Sequence, residues 1–328
     1  VPHFYWELGL GISLGFGALV IGIFLHLAYT FAMAETGGTW TIRRLLEWTP
    51  GFFAKKGVDQ PRLAAELLLS HVLGIARIQL YTGYEKVVGE NHLAAFRELV
   101  KRAGEQEPIA YLTGKAHFFS LEFTVNRDVL IPRPDTDTLV ENVLQTVRNQ
   151  SGIEAPRVLD LCTGSGCIAA AVAKRLKAAV VTAIDISEPA AAVARKNIAD
   201  LGLTDRVAVE VGDLFEPISR MTDARPFDLI LANPPYIASD QLPGLDKSVR
   251  EYEPMLALDG GVDGLVIHRR ILAKASDHLT AAGRIFLEIA FDQGAAAREM
   301  AAEYPAFGEV RILKDFGGRD RVLALQLK

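Results

Sequence analysis

The stretch Asp160-Leu161-Cys162-Thr163-Gly164-Ser165-Gly166-Cys167-Ile168-Ala169 decides the fold. It ends the apolar run Arg157–Leu161, breaks it with two glycines, and opens into the alanine-rich, helix-favouring run Ala169–Lys177. Strand, glycine-rich turn and helix in that order form the first unit of a doubly wound sheet, whose ligands bind beyond the carboxyl ends of the strands. Gly164 to Ala169 also fits the G-x-G-x-x-G/A dinucleotide pattern, so an NAD-binding oxidoreductase competes at this point with other nucleoside-binding enzymes.

The alternation continues downstream. Ala179–Ile184, Val207–Val211, Phe227–Leu231 and Arg284–Ile289 read as buried strands, and Pro189–Leu201, Leu265–Leu279 and Gln293–Glu303 as helices between them. Such a pattern predicts an α/β fold with a doubly wound, mostly parallel sheet. Val310–Leu313 and Val322–Leu327, around Gly317-Gly318, predict an antiparallel C-terminal hairpin. Upstream, Thr41 to about Gly104 has helical apolar spacing, and Tyr111–Leu130 mixes Gly, aromatic and β-branched residues as a β-hairpin does. The Pro-rich turn Ile131-Pro132-Arg133-Pro134 follows. The expected organisation is a 1–38 apolar extension, a 39–110 helical unit, a 111–135 hairpin linker and a 136–328 α/β unit.

Three strand ends carry candidate chemistry. Asp185, 25 residues after Asp160, stands where a carboxylate accepts hydrogen bonds from the vicinal hydroxyls of a ribose, a group that NAD and S-adenosylmethionine share. Asp213 follows the third strand, where an adenine edge would fall, although each Asp could instead cap the next helix. The fourth strand ends in Asn233-Pro234-Pro235-Tyr236. Two prolines remove two N–H donors, fix their φ angles and push Asn233 and Pro234 toward extended conformations. The result is a rigid array of acceptors. A planar NH2 could donate to the Asn233 side-chain oxygen and the Pro234 carbonyl, with Tyr236 supplying a ring face. Acceptors that bind both hydrogens favour a more pyramidal nitrogen, and holding it in line with a methyl sulfonium in a dry site provides proximity.

These residues carry a family resemblance. Asp160–Ala169, Ala183–Ser187, Asn233–Ile237, Leu130–Thr136, Pro108–Gly114, Glu253–Gly261 and Glu288–Gly294 together resemble the HemK-type release-factor glutamine N5-methyltransferases, from about Thr41 to the C-terminus. The resemblance implies a class I S-adenosylmethionine-dependent methyltransferase domain preceded by a small helical domain that docks the protein substrate. It implies that Cys162, Thr163, Gly164, Ser165 and Gly166 wrap the methionine part of S-adenosyl-L-methionine, that Asp185 holds its ribose, and that Asp213 and Leu214 border the adenine. Asn233, at the boundary of cofactor and substrate, would with Pro234, Pro235 and Tyr236 hold the glutamine of the Gly-Gly-Gln loop of class I peptide-chain release factors. Two positions depart from the family pattern, Cys162 and Ala290 each standing where Gly is commoner. The tetrapeptide alone is shared with adenine-N6 DNA methyltransferases.

Composition bounds the partners. Among 328 residues, 35 Lys+Arg against 40 Asp+Glu give a net charge of -5, which argues against stable nucleic-acid binding through a broadly basic surface. Two cysteines, Cys162 and Cys167, suit a reducing compartment and lack the spacing of a zinc site; no metal is expected. Leu8 to Met33 carries no formal charge and is long enough to cross a bilayer. Arg43, Arg44, Lys55 and Lys56 would then leave the bulk on the cytoplasmic side. The competing reading makes residues 1–32 upstream sequence before a start at Met33. The expected location is cytoplasmic, with a membrane tether only if the apolar run is native. His71 is expected to be packed or half-buried in its helix, and Arg269, Arg270 and Lys274 to form a solvated helix face.

Overall fold

The computed structural model describes residues 39–149, 154–220 and 225–328. The apolar run Leu8–Met33, with the rest of the expected 1–38 extension, lies outside them. Among the described residues no helix is long and apolar enough to cross a membrane.

The first unit is helical: α1 (Ile42–Lys56), α2 (Pro61–Leu73), α3 (Arg77–Thr82), α4 (Glu90–Gly104) and α5 (Ile109–Thr113). Thr41 caps α1 by accepting from Arg44 N at 3.3 Å, and Gly57, at φ 71°, ends it in the left-handed conformation that glycine adopts without strain. Leu45, Leu46, Phe53, Leu68, Leu69, Leu80 and Phe96 are fully buried together, the apolar faces that the spacing marked. Helix α5 crosses the expected 110/111 boundary. His71 is exposed rather than packed, because the helix turns that side toward solvent near its C-terminal end.

A two-stranded hairpin follows, β1 (Lys115–Phe118) and β2 (Leu121–Thr124), turning through Phe119 and Ser120, both at positive φ, as a two-residue hairpin loop requires. Glu107, buried before α5, accepts from Arg102 at 2.8 Å and from Arg127, beyond β2, at 2.9 Å. The hairpin is thereby tied back to the helices. Asn197 ties it forward: its Oδ1 accepts from Thr124 N at 2.8 Å, and its Nδ2 donates to Thr124 O and Ser165 O.

After α6 (Asp137–Asn149) come β3 (Arg157–Leu161), α7 (Cys167–Arg175), β4 (Val180–Asp185), α8 (Glu188–Asp200), β5 (Val207–Val211), β6 (Phe227–Ala232), α9 (Lys247–Arg250), α10 (Val266–Ala275), β7 (Leu279–Glu288), α11 (Gly294–Ala302), β8 (Phe307–Lys314) and β9 (Asp320–Leu327). The seven-stranded sheet has the order β5-β4-β3-β6-β7-β9-β8, parallel through β7 and antiparallel at β9 and β8. Val158, Val181, Leu229 and Leu231 pack under α6 and α7, while Leu159, Leu161, Ile230 and Ile285 pack under α10 and α11. The central strands are therefore buried on both faces, as parallel sheets are. The largest differences from the sequence reading fall at one junction. The helix expected to reach Leu279 ends at Ala275, a 3-10 turn spans Ser276–His278, and β7 starts at Leu279, where Leu279 pairs with Phe227. The small residues Ala281, Ala282 and Gly283 hid that first half of the strand.

The chain order reverses between β3 and β6. Leu161 is in register with Ile184 on one side and Ala232 on the other, so the loops carrying Cys162, Asp185 and Asn233 leave the sheet side by side at the switch point, where doubly wound sheets bind ligands.

Candidate active site

The loop after β3 is held from below. Asp160, fully buried, accepts from Thr163 Oγ1 at 2.6 Å and Ala169 N at 3.2 Å through one carboxylate oxygen, while the other has no partner. Burial pushes its pKa up to about 7. Cys162, Gly164 and Gly166 stand at φ 57°, 54° and 78°. Cys162 thus occupies a left-handed position that explains why glycine is commoner there, at a cost of about 1–2 kcal/mol for a side-chain-bearing residue.

Asp185 closes the other side. Its Oδ2 accepts from Gly164 N at 2.8 Å and its Oδ1 from Ser187 N at 2.9 Å; burial raises its pKa. The structure bears on the capping alternative as well, since Ser187 itself caps α8 by accepting from Ala190 N. Leu214 also adopts a positive φ, 51°. Asp213 is not free: Arg270 donates to it at 2.5 Å. Arg270 stays on the solvated helix face read for Arg269, Arg270 and Lys274, its side chain 47% exposed, and from there it also lines the cleft.

The Asn233–Tyr236 segment is clasped from behind by a glycine loop. Ile237 N donates to Leu258 O at 3.1 Å and Gly260 N to Ile237 O at 2.8 Å. A Cβ at Gly260 would fall 2.7 Å from the Pro235 carbonyl oxygen, and one at Gly264 would collide with the Tyr236 carbonyl. Gln293 Nε2 donates to that same carbonyl at 2.9 Å. Asn233 Nδ2 donates to Thr136 Oγ1 at 3.3 Å, and Tyr236 OH to Glu288 Oε1 at 3.4 Å.

One cleft brings together Cys162, Thr163, Gly164, Ser165, Asp185, Asp213, Leu214, Asn233 and Pro235. Three expected residues do not line it. Gly166 lies behind the loop, where a Cβ would approach Ala194; Pro234 is buried; and Tyr236, partly buried, directs its hydroxyl to Glu288 instead of presenting an open ring. The sequence reading missed Ile186, Ile267, Arg270 and Leu256 as cleft residues. Ile186, 52% exposed directly after Asp185, was legible as an apolar residue with no core to enter. Charge in the cleft leans negative: Arg133 is paired with the buried Glu253 and Arg270 with Asp213, leaving Asp185 without a cationic side-chain partner.

A seven-stranded sheet of this order, with a glycine loop, an acidic strand end and an Asn-Pro-Pro-Tyr segment around its switch point, defines a class I methyltransferase. Residues 44–114 match the family model described as the PrmC N-terminal domain, and residues 113–261 match that of conserved hypothetical protein 95. The release factor glutamine methyltransferase of Rhodopirellula baltica is 41% identical over 90% of this chain and 99% of its own length. That of Geobacter sulfurreducens is 42% identical over 89% and 98%, and that of Bacillus subtilis 35% over 86% and 96%. A solved protein-(glutamine-N5) methyltransferase from Alicyclobacillus acidocaldarius is 32% identical over 63% of this chain and 99% of that one, with a TM-score of 0.39. The chain belongs to the release factor glutamine methyltransferase family.

Proposed function

We propose that the protein transfers a methyl group from S-adenosyl-L-methionine to the side-chain amide nitrogen of the glutamine in the Gly-Gly-Gln loop of class I peptide-chain release factors. The observation that carries this reading is the meeting of Asn233 with the Cys162–Ser165 loop and Asp185 in one cleft. That cleft fits a cationic nucleoside: its arginines are already paired, Asp185 is not, and the buried second oxygen of Asp160 lacks a partner beneath the loop. Cys162 to Ser165 would hold the amino-acid part, Asp185 the ribose, and Asp213 with Leu214 the adenine.

The cofactor supplies an electrophilic methyl group on a sulfonium. The residues of this chain have to present a nitrogen whose lone pair is delocalised in an amide. Asn233 Oδ1 accepts one amide hydrogen and the Pro234 carbonyl the other, so the lone pair is aimed at the methyl carbon. With the cofactor bound, the methyl carbon would pass to this nitrogen and the carbon–sulfur electron pair would stay with sulfur, so the residues here need only orient the nitrogen and keep water away from it. The nitrogen then loses its surplus proton to solvent, and no strong base is needed. Pro234 is buried, so its part rests on the carbonyl alone, and Tyr236 serves by anchoring the segment to Glu288.

We infer that the helical unit 39–110 docks the release factor, that the hairpin 111–135 links it to the rest, and that 136–328 is the catalytic unit. Two experiments separate the readings. Tritiated cofactor offered with release factor and with adenine-containing DNA should label the protein alone; labelled DNA would favour the adenine-N6 alternative. In a binding titration S-adenosylmethionine should bind and NADH should not, against the oxidoreductase alternative.

A further inference from the structure

Two motifs of the sequence, Leu130–Thr136 and Glu288–Gly294, supply no group that touches the substrate amide in the proposed chemistry, yet their ends meet near Asn233. Thr136 is 2% exposed and Glu288 is fully buried. The Thr136 hydroxyl acts on the Glu288 carboxyl and favours its ionised form; Oε2 of that carboxyl has no other hydrogen-bond partner, and Tyr236 OH donates to Oε1. Arg321 and Asp135 act on the same carboxyl electrostatically, and His268 Nε2 meets the Glu288 main-chain oxygen at 2.8 Å.

A threonine hydroxyl has one hydrogen. If it goes to the Glu288 carboxylate, which is acceptor-only when ionised, Thr136 Oγ1 can only accept from Asn233. The Asn233 NH2 must then face Thr136, which is the 3.3 Å contact observed, and Asn233 Oδ1 faces the cleft that Asn233 lines. Rotated by half a turn, the same amide would put its NH2 against the substrate NH2, donor against donor. We infer that Thr136, backed by Glu288, is a positioning residue that fixes the side-chain amide of Asn233 with its oxygen toward the substrate and so selects an amide over a carboxylate. This rests on the proposed methylation of a glutamine amide and adds to it the device that keeps the acceptor turned the right way. The relay acts through hydrogen-bond direction, so it depends on a hydroxyl at position 136 and not on the volume there.

The test compares T136V and T136S with the wild-type enzyme above neutral pH, measuring single-turnover methylation of release factor at saturating S-adenosylmethionine and, separately, cofactor affinity by calorimetry. T136V should lose on the order of tenfold or more in turnover, the loss of one orienting hydrogen bond, with cofactor affinity unchanged. T136S should recover most of that loss. If T136V does not fold, T136A is read by the same criteria. Wild-type turnover in T136V, or a folded T136S as slow as T136V, would overturn the positioning role. A wild-type enzyme that leaves the release-factor glutamine unmodified strikes the proposed function itself, and that result is seen before any variant is compared.

Discussion

Asp185 Oδ2 accepts a hydrogen bond from the main-chain N–H of Gly164 at 2.8 Å. The carboxylate assigned to the ribose therefore also holds the glycine loop assigned to the methionine part, and the two halves of the cofactor site are mechanically one. Its other oxygen, on Ser187 N, fixes the start of α8. Each oxygen keeps a further lone pair for a ligand.

Asp185→Ala should accordingly cost cofactor binding about 1.5–3 kcal/mol for the lost charged hydrogen bonds. It should also loosen the Gly164 loop, seen as faster amide exchange at Cys162–Gly166. Unchanged affinity in a calorimetric titration of the folded variant would remove Asp185 from the site.

Stability should fall as pH rises from about 5 to about 7 through two groups. Burial lifts Asp160 and Glu288 to about 7 in the folded chain, above their unfolded values of 3.8 and 4.5. Within that window the unfolded chain has released protons that the folded chain retains, so raising the pH favours unfolding. Each group contributes on the order of 3 kcal/mol across the window. Depressed carboxyls such as Glu107 and Asp263 act the other way, but their stabilisation is already present above their unfolded pKa and is lost only in acid. Urea midpoints of wild type and Glu288→Gln measured across this range should converge at the acid end for this contribution. A variant that keeps the wild-type slope would show that Glu288 does not titrate there.

Gly264→Ala should destabilise the fold by about 1–3 kcal/mol, the usual cost of forcing atoms into a packed site. The new Cβ would collide with the Tyr236 carbonyl at a backbone φ of 74°, and relief requires moving the Asn233–Tyr236 segment. Turnover should fall more than the midpoint shift alone explains. Gly57→Ala, with open space around its Cβ, is the control for backbone strain; equal losses of turnover in both would deny the clasp any role in the site.

Asn233→Ala should retain cofactor binding and lose about 10²–10³ in turnover, by analogy with removing one preorganised hydrogen-bond partner. Asn233→Asp keeps an acceptor and the size but adds negative charge near the sulfonium, favouring the bound ground state over the charge-dispersed transition state. Its turnover should fall even where its cofactor affinity rises. Wild-type rates in either variant would contradict the assigned role.

Much of this arrangement was readable before any coordinates because it depends on local pattern. Four of the sheet's strands, β3 to β6, start and end within one residue of their apolar runs, and Asn233-Pro234-Pro235-Tyr236 announces itself by two consecutive prolines at a strand end. Contacts between distant segments were not readable. Thr136 under Asn233, Arg270 on Asp213 and Asn197 between the hairpin and the glycine loop join residues 97, 57 and 73 positions apart. Nothing in local periodicity encodes such pairings. Arg270 was read only as part of a solvated helix side for a related reason: the sequence does not show that α10 runs beside the loop carrying Asp213, which this half-exposed side chain reaches. Tyr236 was read as an open ring because the sequence does not reveal that Glu288, 52 residues later, waits for its hydroxyl.

The central claim is the identity of the methylated atom. Purified class I release factor, incubated with the full chain and S-adenosylmethionine, digested and sequenced by tandem mass spectrometry, should gain the mass of one methylene group on the glutamine of the Gly-Gly-Gln loop, with fragments placing it on the side chain, and Asn233→Ala should leave that peptide unmodified. An unmodified peptide with active, cofactor-binding wild-type enzyme, or a methyl group on any other residue, would contradict the account.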